Sequence, residues 1–369
     1  MRLQWAQIVE ANPPVAGVQK LRCQTIEVPG AGSYLSAIHY LAFGPAVAVG
    51  QMVLLNVTAL DLELGTGGWA FAVPAKSFSD YQPTNGHVIK LRYTPLQREV
   101  QSVEEPSSPN HQIMHTANSL DGLPVVCCSL HSQVPLVAAA IKHLDSQARI
   151  VYCLTDQAAL MMSFSELVGD CLKCQLIDAT VSCGQAMGGD LEAVNLHSGL
   201  LAARWVLKAD YVICAIGPGV VGTDTPFGHG GIAQAEALNA VYALAGQPVA
   251  SLRVSAVDQR SRHWGLSHHS ASALGRACLA PVTVALPSDL DAAFLQLLQK
   301  ELQNSGISQR HQVVLAESLL EEVDLRGVKP SSMGRGLAQD PPFFKAACCA
   351  GVVAHRLAQA PADDLTPGQ

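Results

Sequence analysis

The stretch LPVVCCSLHSQVPLVAAAIKHLDSQARIVYCL, residues 123–154, decides the fold. Val125–Leu130 is a short apolar run, Pro135–Leu144 carries apolar residues at helical spacing, and Ile150–Leu154 is a second apolar run. Strands read this way when helices cover both faces of their sheet, so that neither face needs polar residues. The pattern continues outward. Apolar strands at Gln175–Val181, Tyr211–Ile216, Val249–Ala256, Val282–Leu286 and Gln312–Leu315 alternate with helical runs such as Gln157–Cys171, Glu192–Leu207, Ile232–Ala245, Ser270–Leu279 and Leu290–Gln303. The alternation predicts an α/β fold: a mostly parallel, doubly wound sheet with helices on both faces.

Upstream the rhythm differs. Gln19–Val28, Tyr34–Phe43, Gln51–Thr58, Trp69–Pro74 and His87–Tyr93 are rich in β-branched and aromatic residues. They are punctuated by Gly30-Ala31-Gly32, Gly44-Pro45 and Gly65-Thr66-Gly67-Gly68. Short strands between tight turns predict a small β-rich domain, barrel or sandwich, over residues 1–100. Residues 101–122, with Glu104-Glu105-Pro106-Ser107-Ser108-Pro109, read as a linker to an α/β domain at 123–323. Residues 324–369 read as a loop and a helix, Asp340 to Leu357, packing back on that core, with a frayed end at Ala360–Gln369.

Composition sets limits on function. Of 369 residues, 49% are apolar and 14% charged, which excludes a disordered chain. Lys plus Arg number 23 against 30 Asp plus Glu, a net charge of −7, so neither nucleic acid nor an anionic membrane is expected as a partner. Met1–Pro14 lacks a secretory pattern, and no window is apolar enough to span a bilayer. The 11 cysteines read as buried small hydrophobes in a reducing cytoplasm, the lone Cys171-Leu172-Lys173-Cys174 included.

In open parallel sheets, ligands gather where loops leave the carboxyl ends of the strands. Three such loops are chemically unusual. The first, Ser182 to Glu192, offers Gly188 and Gly189 for close backbone approach to an anion, with Asp190 and Glu192 at an expected helix start. Capping is the commoner role for Asp190, and holding a cation or acting as a base is the alternative. The second, Gly217 to Gly231, carries Gly217, Gly219, Gly222, Thr223 and Thr225. It matches neither a Walker A loop nor a dinucleotide fingerprint, yet it offers many N–H and hydroxyl donors.

The third loop, Asp258-Gln259-Arg260-Ser261-Arg262-His263-Trp264-Gly265-Leu266-Ser267-His268-His269, is the richest. Imidazoles move protons near neutral pH or ligate metals, and guanidiniums clamp carboxylate or phosphate. His263, His268 and His269 are the candidate acid–base residues, with Asp258 orienting an imidazole; Arg260, Arg262 and, from the tail, Arg335 are candidate anion clamps. His268 and His269 are adjacent and diverge, so one faces the cleft while the other packs, and Ser267 suits a helix N-cap. A solvated polar loop would account for the arginines but poorly for three histidines beside Trp264.

Lys90-Leu91-Arg92-Tyr93-Thr94-Pro95, Thr155-Asp156, Gly184-Gln185-Ala186 with Gly188 to Val194, Gly217-Pro218-Gly219 with Gly222-Thr223, Asp258 to His263, Ser267-His268-His269 and Met333-Gly334-Arg335-Gly336 together resemble an uncharacterised bacterial family of unknown function, DUF3866. The resemblance runs over nearly the whole chain and implies no established activity. Gln157-Ala158-Ala159 and His229 depart from the family pattern, which weakens them as candidates for chemistry.

The expectation is an enzyme, a hydrolase or group transferase, acting on a small anionic metabolite. The alternative is a non-catalytic ligand sensor or adaptor. No cofactor is read from the sequence, although a divalent metal held by Asp258, Asp190 and a histidine is an option. The Ala-rich segments Leu200–Leu207 and Ala346–Ala354 offer faces for a homo-oligomer.

Overall fold

The structure, a computed structural model, describes residues 2–26, 33–61, 68–73, 86–94, 96–156 and 161–360. The expected turns at Gly30-Ala31-Gly32 and Gly65-Thr66-Gly67, the segment Gln157-Ala158-Ala159 and the tail beyond Ala360 lie outside the described residues. The chain divides into two compact units, Met1–Thr84 with Thr94–Leu96, and Asn85–Tyr93 with Gln97–Gln369.

The first unit is a closed five-stranded barrel. Its strands are β1 (Leu3–Ala11), β2 (Val18–Thr25), β3 (Tyr34–Tyr40), β4 (Met52–Asn56) and β5 (Trp69–Val73), in the order β1-β2-β3-β5-β4. β3 and β5 run parallel and the other pairs antiparallel. Ala6, Ile8, Leu21, Cys23, Ala37 and Leu55 alternate inward to fill it. β1 has no counterpart in the sequence reading, because a register shift between Ile8 and Glu10 breaks the alternation that marks a strand.

The second unit opens with an antiparallel pair, β6 (Val88–Lys90) and β7 (Arg98–Val100). The remaining strands are β8 (Pro124–Cys127), β9 (Ile150–Leu154), β10 (Ala179–Cys183), β11 (Leu191–Ala193), β12 (Tyr211–Ala215), β13 (Gln247–Ser251), β14 (Val254–Ser255), β15 (Gly265–Leu266), β16 (Thr283–Pro287) and β17 (Gln312–Ala316). Eight form one parallel sheet in the order β11-β10-β9-β12-β8-β13-β16-β17. Alternate residues serve opposite faces: Val125 and Cys127 pack with Leu200, Leu238 and Leu298, whereas Val126 and Cys128 pack with Leu136, Ile141 and Phe344. Helices Leu196–Trp205, Ala233–Ala243 and Ala292–Asn304 supply the first layer; Val134–Leu144 and Pro341–Gln359 supply the second. These last two approach closely at Gly351, where a Cβ would stand 2.6 Å from the Val137 carbonyl oxygen. All eleven cysteines are free thiols. No helix of the described residues is long and apolar enough to cross a membrane.

Three expectations need correction. Residues 101–122 are not a bare linker. They hold the helix His111–Thr116, bury Val103, Met114 and Leu120, and bond to β11 through Val103 N to Glu192 O at 2.8 Å. Their acidic residues serve turns of the chain itself, with Glu105 Oε1 accepting from Ser102 N at 2.6 Å. The helix expected from Glu192 starts at Leu196 behind the N-cap Asn195, because Leu191–Ala193 adds to β10 as a strand. The helix expected over Gln157–Cys171 is Glu166–Lys173, capped by Ser165.

Candidate functional site at the carboxyl ends of the sheet

β12 and β13 lie on either side of β8, so the loops leaving their carboxyl ends meet over that central strand. Two buried glutamines fix the strand ends. Gln234 Nε2 donates to Cys127 O and Ser251 O, both at 2.7 Å, and Gln133 Nε2 donates to Ser251 Oγ at 3.0 Å and Leu252 O at 2.8 Å. Beyond β13 the chain forms the small antiparallel pair β14–β15, whose far end holds Asp258 to His263. Leu266 N donates to Glu301 Oε2 at 2.7 Å, which anchors the returning strand. Ser267 is the N-cap of the helix that begins at His268, its Oγ accepting from His269 N at 3.3 Å.

This arrangement gathers four imidazoles. The rings of His263, His268 and His269 lie 4.5 to 5.0 Å apart, centroid to centroid. His229, from the loop after β12, stacks on His269 at 3.9 Å with an interplanar angle of 3°. Gly222, bridged to His229, lies beside them; a Cβ there would be 3.5 Å from His269 Nε2. Burial and the neighbouring Arg253 push His263 down to about 3 and His269 down to about 2. His229 and His268 are also lowered, chiefly by burial. All four rings are neutral at pH 7.

Arg253 sits among them, 5% exposed. Nη1 donates to His269 Nδ1 at 3.0 Å, and among the described residues no carboxylate lies within ion-pair distance of the guanidinium. Burial and Arg260 lower its proton affinity to about 10, so it remains charged. Asp258 acts on it only from beyond ion-pair distance, and a buried cation without a counter-charge in contact is costly and rare.

The other arginines are partly neutralised. Asp258 accepts from Arg260 Nε at 3.0 Å and Nη2 at 2.8 Å, and from Arg335 Nη2 at 3.2 Å. The bonds from Arg260 hold its carboxyl well below the usual range. No hydrogen bond joins Asp258 to an imidazole among the described residues, so the orienting role expected for it is filled by Ser267 and Arg253 instead. Arg335 also faces Asp340 at 3.4 Å, and the exposed Arg262 pairs with Asp224 at 3.1 Å. Asp258, Gln259, Arg260, Met333, Arg335 and Gln339 line an open cleft of about 480 Å³.

The second loop therefore joins the third. Gly217 is buried at the end of β12, Gly219 takes a left-handed φ of 90°, and Thr223 and Thr225 close the turn with Gly228. The first loop does not join them. β10 is four strand positions from β13, about 19 Å at the usual strand spacing. Its polar residues are occupied locally: Asp190 accepts from Thr180 N at 2.8 Å and Oγ1 at 2.9 Å. Glu192 accepts from the buried Lys90 Nζ, Ser182 Oγ and Gly188 N, each at 2.6 Å. Gly189 allows close strand approach, since a Cβ would stand 2.7 Å from Ser182 N.

Metal binding has a different basis than the sequence suggested. Asp190 and Asp258 are not brought together, whereas His229, His268 and His269 offer ligand atoms within 4.8 Å of one another. Two features oppose a cation there: the His269 Nδ1 lone pair already accepts from Arg253, and that guanidinium repels positive charge. Arg253 and His229 are the residues a motif reading passes over. The signal for Arg253 was a lone charge inside an apolar strand run, Ser251-Leu252-Arg253-Val254-Ser255.

Neither the curated proteins nor the solved structures yielded a match. Residues 36–351, nearly the whole length, match the family described as protein of unknown function (DUF3866), and the chain belongs to that family.

Proposed function

We propose that the chain is an enzyme, a hydrolase or group transferase, acting on a small anionic metabolite at the carboxyl ends of β8, β12 and β13. The observation that supports this reading is Arg253, a buried guanidinium with no carboxylate within ion-pair distance among the described residues, beside four neutral imidazoles. An anionic ligand supplies the missing counter-charge, and a neutral imidazole near it exchanges a proton. His268 suits that exchange best, being partly exposed and free of side-chain hydrogen bonds among the described residues. The direct test is a panel of phosphate, carboxylate and sulfate esters incubated with the full chain, with products identified by mass. Turnover that falls at least 100-fold in His268→Ala supports the reading, at about the contribution expected of general acid–base catalysis. Undiminished turnover in that variant refutes it.

A non-catalytic sensor is the second reading, and one observation favours it. Asp258, the loop's only carboxylate, is committed to Arg260 and Arg335 and is not available as a base. A ligand recovered chemically intact after prolonged incubation identifies the sensor.

A further inference from the structure

Four neutral imidazoles in one cluster need not be interchangeable. Each ring has one N–H and one bare nitrogen, and the hydrogen bonds around it decide which is which. An arginine has no lone pair, so the ring nitrogen facing it must accept. His269 Nδ1, 3.0 Å from Arg253 Nη1, is therefore bare, and its proton resides on Nε2. Ser267 is wholly buried, and its Oγ already accepts from His269 N. The hydroxyl proton has one acceptor within reach among the described residues, His263 Nδ1 at 2.8 Å. Leaving a buried hydroxyl proton unpaired would cost about 1–3 kcal/mol, so Ser267 donates. His263 thus carries its proton on Nε2 as well.

From this geometry we infer that His263 and His269 are held as a pair of neutral Nε2–H donors for an oxygen that bears or gains negative charge, with Ser267 and Arg253 as the positioning residues. The inference rests on the anion-site reading above and adds to it the group recognised: a phosphoryl or carboxyl oxygen. Donors fixed in place before a ligand arrives need no reorganisation, which is where such groups contribute most. A neutral imidazole donor also keeps its proton where an imidazolium would release it. Burial first and then the charge of Arg253 favour the neutral form of both rings, and Arg260 adds to this at His263. Gly222 lies against the His269 side without a side chain, where a Cβ would stand 3.5 Å from Nε2. His229 is committed differently, its Nε2 lying 3.1 Å from Pro226 O, a carbonyl that only accepts, so its proton is already used. His268 alone has no hydrogen bond fixing its tautomer among the described residues.

Two-bond proton–nitrogen correlation spectra of the full chain, labelled with ¹⁵N-histidine at pH 7, read the tautomers directly, with His263→Gln and His269→Gln assigning the signals. The expected result is a protonated Nε2 and a bare Nδ1 for both rings. Arg253→Met should release His269 into a tautomer mixture, and Arg253→Lys, which retains a donor, should not. Added inorganic phosphate should shift both Nε2 resonances and leave in place that of His355, which lies in the helix Pro341–Gln359 against the Tyr211 hydroxyl at the start of β12. A protonated Nδ1 on either ring of the wild-type protein overturns the tautomer assignment. Nε2 resonances that stay unmoved while the His268 ring or the Arg253 guanidinium responds to phosphate overturn the donor role. Intact tautomers with no phosphate response at any concentration would place the failure in the anion-site reading instead.

Discussion

Glu192 was a candidate ligand-binding residue, and the structure gives it a structural partner whose loss has a calculable cost. Lys90 is 1% exposed, and Glu192 Oε2 lies 2.6 Å from its Nζ. The remaining partners of the ammonium are two carbonyls, Ala186 O at 2.6 Å and Ser182 O at 3.4 Å. Glu192→Ala removes the only counter-charge in contact among the described residues and strands a buried cation, which costs about 3–5 kcal/mol. Lost bonds from Ser182 Oγ and Gly188 N add to this, while the 15% exposure of the carboxylate lets water recover part of it. A net loss of about 3–4 kcal/mol is expected. Replacing both partners, Lys90→Met with Glu192→Leu, should restore most of it, because the desolvation cost goes with the charges. Urea unfolding followed by tryptophan fluorescence measures both effects. A variant whose only tryptophans are Trp205 and Trp264 isolates the second unit, since a two-unit chain need not unfold in one step. A Glu192→Ala loss below about 0.5 kcal/mol, the scale of an ordinary surface change, would refute the buried-pair reasoning.

Acid should destabilise the second unit earlier than its carboxylates require. His131, buried against Ser165, is pushed down to about 4 by burial, from an unfolded value near 6.5. Its contribution is full above about pH 6.5 and is lost as pH falls toward 4; the shift corresponds to at most about 3 kcal/mol, less for a ring that keeps some solvent contact. His263 and His269 act in the same direction, and unfolding midpoints measured from pH 7 to pH 4 should flatten in His131→Gln. At Gly231, a Cβ would stand 3.0 Å from His229 Nδ1 and 3.1 Å from His269 Cβ. Gly231→Ala should therefore separate the stacked rings, costing about 1–3 kcal/mol by overpacking, with the ring nitrogen resonances of both histidines reporting the shift.

The sheet was legible because strands buried on both faces leave unbroken apolar runs, as Ile150–Leu154 does. β11 was not, since Leu191-Glu192-Ala193 is only three residues long and becomes a strand by adding to β10, while its Glu192 is held by a lysine 102 residues earlier in the chain that no local window contains. The polar stretch Glu104 to Asn110 looked like a linker because its side chains serve turns, which have the same composition as linkers. The histidine loop was visible by residue type. The pairing of Asp258 with Arg335, 77 residues away, and the entry of His229 depend on which segments the strand order and long-range packing bring together.

Titration calorimetry of the full chain with inorganic phosphate, in wild type and in Arg253→Met, is the most direct measurement. Phosphate should bind the wild type at least tenfold more tightly, a difference of about 1.4 kcal/mol or more. The variant should also melt at a higher temperature, because a buried charge with no ion-pair contact among the described residues has been removed. Equal affinities, or a variant that melts lower while binding phosphate as before, would show that Arg253 is part of the framework and that no anion is awaited there.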